Sequence, residues 1–120
     1  KNIINHGVQN MKYLLFIHVE QTEETEALMA ELKAEKYNAF VSATTSLKHL
    51  NENDEDNKTF LSLQALTHLF DSTPSLTMHM VVEEDEAEHI RTLVENYTHN
   101  FTTTKGCVFA VKIDKFEGSF

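Results

Sequence analysis

An α+β sandwich is the fold class this sequence predicts, and two observations predict it. The first is order: a strand, a helix and a strand are followed by an acidic break and then by the same three elements again. One unit runs from residues 13–17 through a helix over 23–36 to a strand over 38–43, the other from 76–82 through 84–97 to 107–111. The second is size, because a split β-α-β repeat in a chain of 120 residues points to a ferredoxin-like βαββαβ arrangement on an antiparallel sheet. A long insertion, about residues 45–74, separates the second and third strands. The fold hosts many functions, so this insertion is what separates the candidates.

Residues 12–19 alternate, with Tyr13, Leu15, Ile17 and Val19 on one face and Lys12, Leu14, Phe16 and His18 on the other. Both faces are largely apolar, which predicts a central strand covered on both sides. Thr22 is a candidate N-cap, with Glu23 and Glu24 in the electropositive first turn. Ala27, Ala30, Ala34 and Tyr37 lie at helical spacing, widened by Leu28 and Leu32, and predict the core stripe of the first helix. Tyr37-Asn38 turns the chain into the second strand, which ends at Thr44-Thr45-Ser46. Residues 51–58 hold no apolar side chain and read as a solvated loop. Phe60, Leu63, Leu66 or Thr67, and Phe70 recur at helical spacing before Asp71-Ser72-Thr73-Pro74, although residues 59–63 also read as a strand. In the second unit Ala87, Ile90, Leu93, Val94 and Tyr97 form the helical stripe. The last strand covers 107–113, and residues 114–120 are an irregular tail carrying Phe116 and Phe120.

Length and a hydrophobic content of 41% allow one domain with one core, over residues 11–120. Residues 1–10 are polar, precede the first methionine, and read as an extension outside the fold or as a short extra helix. Ten basic against 19 acidic side chains give a net charge of −9. That charge argues against a general nucleic-acid binder and against attraction to anionic membranes. No apolar run approaches the roughly 20 residues a membrane helix needs, and no signal-peptide pattern precedes Met11. The lone Cys107 excludes an internal disulfide and fits a reducing compartment. The expected location is cytoplasmic. The three glycines, Gly7, Gly106 and Gly118, are too far apart for a phosphate-gripping loop or a dinucleotide fingerprint.

Two stretches resemble the PII-like signalling family, which includes the nitrogen-regulatory PII proteins and the related cyclic-di-AMP receptors. Phe40-Val41-Ser42-Ala43-Thr44-Thr45 is similar to the end of that family's second strand, where an Ala-Thr-Thr precedes the ligand-sensing T-loop. Val108-Phe109-Ala110-Val111-Lys112-Ile113-Asp114-Lys115-Phe116 is similar to its last strand and acidic exit. Element order and length agree over residues 11–116. The sequence departs from the pattern in two places. Ser46-Leu47-Lys48-His49 replaces the glycine after the Ala-Thr-Thr, and Thr102-Thr103-Thr104-Lys105-Gly106 replaces a glycine-rich phosphate loop. The T-loop segment also holds no tyrosine, which excludes uridylylation of the nitrogen-regulatory kind.

The resemblance implies a homotrimer, with an adenine nucleotide or similar small ligand in the clefts between subunits and a protein target engaged through the T-loop-like segment 45–74. Leu14, Phe16 and His18 also need a partner, which a trimer or a face-to-face dimer would supply. Thr44, Thr45, Lys48, Lys105 and Gly106 are the residues placed to receive a phosphate, lysine acting as a point charge; ordinary surface lysines and a strand-end turn are the plainer reading. Phe60, Leu63 and Phe70 would form a partner-binding stripe, or would pack within the assembly.

Seven histidines suggest a second function, the binding of a divalent transition metal such as Zn²⁺ or Cu²⁺. His18 and His79 lie on neighbouring strands with the same parity and would face each other near an oligomer axis; hydrogen-bonded interface histidines are the plainer reading. His49 and His68 flank the acidic run and would make a loop site with Asp54 or Glu55, against a simple solvated loop. His89 and His99 suggest nothing specific. No catalytic constellation is visible, and Cys107 at a strand start reads as a buried structural thiol. The expectation is therefore not an enzyme, with a small ferredoxin-like enzyme acting in a sheet cavity as the remaining alternative.

Overall fold

The computed structural model describes residues 11–45 and 75–119. The elements are β1 Lys12–Glu20, α1 Glu23–Ala34, β2 Phe40–Thr44, β3 Ser75–Glu83, α2 Glu84–Tyr97 and β4 Gly106–Lys112. The strands form one sheet in the order β2-β3-β1-β4, every neighbouring pair antiparallel. The architecture is α+β, compatible with a ferredoxin-like fold. Residues 1–10 and 46–74, with Lys48, His49, Phe60, Leu63, His68 and Phe70, lie outside the described residues. Among the described residues no helix is long and apolar enough to cross a membrane.

The core lies between the helices and one face of the sheet. Leu15, Ile17 and Val19 from β1 and Met78, Met80 and Val82 from β3 meet Leu28 and Leu32 of α1 and Ala87, Ile90 and Val94 of α2. The alternation of β1 sets this arrangement, because a period of two places every second residue on one face. β1 is central, as its sequence predicts, but neither described helix lies on the face with Leu14, Phe16 and His18, whose side chains are only partly buried.

The first helix packs on the leucine edge of the expected stripe, with Tyr37 against the core, and not on its alanines. Thr25, Leu28 and Leu32 are buried, while Ala27, Ala30 and Ala34 are exposed. Leucine buries far more apolar surface than alanine, so the helix turns the larger side chains inward. Thr22 caps α1 as expected, its Oγ1 accepting from the Thr25 amide at 3.2 Å. In α2 the expected stripe is the observed one, with Leu93 and Tyr97 at its margin.

The connection from α2 to β4 is unusual. His99, Asn100 and Phe101 adopt φ of 53°, 58° and 63°, three consecutive non-glycine residues in the left-handed region. Each such residue costs roughly 1–2 kcal/mol, so surrounding bonds must hold the turn. Thr98 Oγ1 donates to the Val94 carbonyl at 2.7 Å and accepts from the Phe101 amide at 3.0 Å, and Thr102 Oγ1 donates to the His99 carbonyl at 2.6 Å.

Candidate functional site

The face of the sheet opposite α1 and α2 gathers the side chains that carry chemistry. Its ranks follow from strand register. Phe40 pairs with His79, His79 with Phe16, and Phe16 with Phe109, so one aromatic residue from each strand forms a row across the whole sheet. The Phe16 and His79 rings stack at 5.5 Å, Phe16 and Phe109 at 5.2 Å, and Phe40 lies 5.2 Å from His79. Phe40 and Phe109 remain 55% and 48% exposed, which leaves a large apolar patch uncovered in the single chain.

The next rank is polar: Ser42, Thr77, His18 and Cys107 stand side by side. His18 Nδ1 lies 2.8 Å from Thr77 Oγ1, which lies 2.9 Å from Thr44 Oγ1; Thr44 is also 3.4 Å from His18 Nδ1. These bonds fix the imidazole and leave its Nε2 without a partner among the described residues. Cys107 is exposed, contrary to the buried thiol expected, because β4 is an edge strand and no described element covers this face.

His18 and His79 do share the face and lie on neighbouring strands, diagonal to one another. His79 is held between Phe16 and Phe40, and His18 has one nitrogen committed to Thr77. Among the described residues no group of three or more histidine, cysteine or carboxylate side chains could hold a metal ion.

The expected phosphate-binding residues are divided. Thr44 ends β2, with Thr45 next in the chain, at one edge of the sheet, and Lys105 immediately precedes Gly106, the first residue of β4, at the other. Both pairs stand at the same end, since Thr44 pairs with Ser75, Ser75 with Glu20, and the Glu20 amide donates to the Lys105 carbonyl at 2.9 Å. Thr45 Oγ1 is shielded from solvent and has no hydrogen-bond partner among the described residues. Gly106 has a structural reason to be glycine: at φ 156° an added Cβ would lie 2.0 Å from the His18 carbonyl oxygen.

A second polar cluster joins α1 to the loop before β4. The Glu24 carboxylate accepts from Thr103 Oγ1 at 2.7 Å and from the fully buried Thr104 Oγ1, and lies 3.3 Å from His99 Nδ1. Thr104 Oγ1 also lies 2.8 Å from the capping hydroxyl of Thr22. The Thr104 and Thr103 hydroxyls, with His99, hold the Glu24 carboxyl below the usual carboxylate range. Sequence reading gave Glu24 to the helix dipole alone and His99 to no role, because partners 79 and 80 residues away leave no local spacing. His89, also without an expected role, pairs with Glu35 at 2.8 Å.

No family model matches the chain, and no curated protein matches it. Its fold is similar to that of a functionally unknown protein from Pediococcus pentosaceus ATCC 25745, with a TM-score of 0.56 and 13% identity, over 91% of this chain and 99% of that one. At that identity the likeness concerns the fold alone.

Proposed function

We propose that this chain is a non-catalytic, PII-like signal-transduction protein. In this reading it is a cytoplasmic homotrimer that binds an adenine nucleotide or a related small ligand between subunits. Residues 45–74 then engage or release a protein target, a charged segment ordered by a ligand being one way to turn binding into a signal.

The orphaned hydroxyl of Thr45 carries the reading. A buried polar group without a partner costs about 1–3 kcal/mol until something satisfies it, and Thr45 Oγ1 is such a group at the β2 end. Among the described residues Lys105 is the expected cation at that end of the sheet, but β3 and β1 intervene. Three strand spacings amount to roughly 14 Å, too far for one phosphate to touch both residues of one chain. A ligand that meets both Thr45 and Lys105 therefore bridges two copies. The bare aromatic row of Phe40, Phe16 and Phe109 supports assembly, since it gives each copy an apolar face to bury.

The test is a thermal-shift panel of ATP, ADP, AMP, cyclic-di-AMP, Zn²⁺ and Cu²⁺ on the intact chain, with its mass in solution measured in parallel. A ligand at about 100 times its Kd adds about 2.7 kcal/mol to the folded state. A nucleotide should raise Tm in the wild type and not in Thr45→Val, which removes the hydroxyl and keeps the shape. A shift with metals alone would move the function to His18 and His79. An unchanged Tm throughout would reject a nucleotide sensor.

A further inference from the structure

The outer edge of β4 combines an unpaired backbone with a charged groove. Ile113 N donates to the Lys12 carbonyl at 2.9 Å, and the Lys105 carbonyl accepts from Glu20 at 2.9 Å. The register between these two bonds is unbroken. Successive residues of an antiparallel strand alternate between facing the partner and facing away. Val108, Ala110 and Lys112 therefore turn their N–H and C=O groups outward, where they have no partner among the described residues.

A groove of about 460 Å³ runs beside this edge, between β4 and α2. Val108, Ala110 and Ala87 form its apolar part, and Glu84, Glu88 and Glu95 stand along it with one cation, Arg91. Arg91 bonds Glu88 at 3.0 Å. Glu84 and Glu95 have no ion pair among the described residues, so the groove is net negative. On the opposite side of the strand, Phe109 and Val111 are 48% and 50% exposed.

We propose that the β4 edge takes up an extended peptide whose side chains alternate between apolar and basic, adding it to the sheet as a fifth strand. The exposed backbone groups of Val108, Ala110 and Lys112 supply the ladder, as in strand addition generally. The alternation follows from the two faces of the strand: apolar side chains lie beside Phe109 and Val111, and basic ones reach Glu84 and Glu95. A second copy paired through the same edge is the poorer occupant. Pairing β4 with β4 would bring two sets of the same carboxylates together, and like charges across strands destabilise.

The probe is a fluorescent heptapeptide alternating valine and lysine, compared with one alternating valine and glutamate. The lysine peptide should bind at least about tenfold more tightly and shift the amide resonances of Val108, Ala110 and Lys112. Ala110→Pro removes one outward N–H and no bond to β1, a place where an edge strand tolerates proline. It should weaken binding about tenfold. Should that variant fail to fold, Glu84→Gln with Glu95→Gln should abolish the preference for lysine. Equal binding of the two peptides overturns the proposal, as does unchanged binding by Ala110→Pro. Self-association that Ala110→Pro abolishes also overturns it, because a second copy would then hold the edge.

Discussion

The hydroxyl of Thr104, fully buried, donates to the carboxylate of Glu24 across 80 residues of chain. This bond, with that from Thr103, anchors the left-handed turn at His99–Phe101 to the first turn of α1. Its pH dependence has a definite sign. Folding lowers the Glu24 pKa, so its contribution is complete above the ordinary carboxylate value and disappears as pH falls through the lowered folded value. Urea midpoints measured from neutral to acid pH should fall through that window in the wild type and fall less in Glu24→Gln. Thr104→Val, which leaves Glu24 and Thr22 each a bond short, should cost about 1–2 kcal/mol at neutral pH.

Gly106 places a backbone without a side chain against β1. An added Cβ would meet both the His18 carbonyl oxygen at 2.0 Å and Val19 Cα at 2.8 Å, and neither backbone atom can move aside without breaking the ladder. Gly106→Ala should therefore cost at least about 3 kcal/mol, in the range reserved for overpacking and strain. The check is equilibrium denaturation, and a loss below 1 kcal/mol on the order of an ordinary surface change would mean the strand end yields.

Two tyrosines should titrate late. The Tyr97 hydroxyl donates to Glu31 at 2.6 Å, which raises the phenol pKa and lowers that of Glu31. Burial first, and then the charges of Glu86, Glu35 and Asp85, raise Tyr37. Both contributions to stability are present below the ordinary phenol value and are lost as pH rises through the folded values. An ultraviolet titration of phenolate should show Glu31→Gln bringing Tyr97 back toward the ordinary range while Tyr37 stays high.

The parts of the fold that could be read from the chain are those with a local period. The alternation through Leu15, Ile17 and Val19 identifies the core face of β1, and the same parity places Phe16, His18 and His79 together on the other face. The completed aromatic row was not legible, because it needs the register that sets Phe40 and Phe109 beside that pair. The Glu24 cluster was illegible for a stronger reason: its members come from α1 and from the loop after α2, and nothing in either segment signals the other. The exposure of Cys107 also depends on strand order, since the same residue on a central strand would be covered.

The exposed alanines of α1 offer a direct test of what positions that helix. Alanines at 27, 30 and 34 mark a stripe of correct spacing, yet the helix buries Leu28 and Leu32, at 0% and 4% exposure. Burial of leucine is worth about 1.5–3 kcal/mol, and the alanine methyls cannot match it. The two faces should then respond oppositely to substitution. Leu28→Ala should cost about 2–5 kcal/mol by opening a cavity against the sheet. Ala30→Glu, pointing to solvent, should stay within about 0.5 kcal/mol. Denaturant midpoints of the two variants decide the matter: if Ala30→Glu proves the more damaging, α1 packs on its alanine stripe.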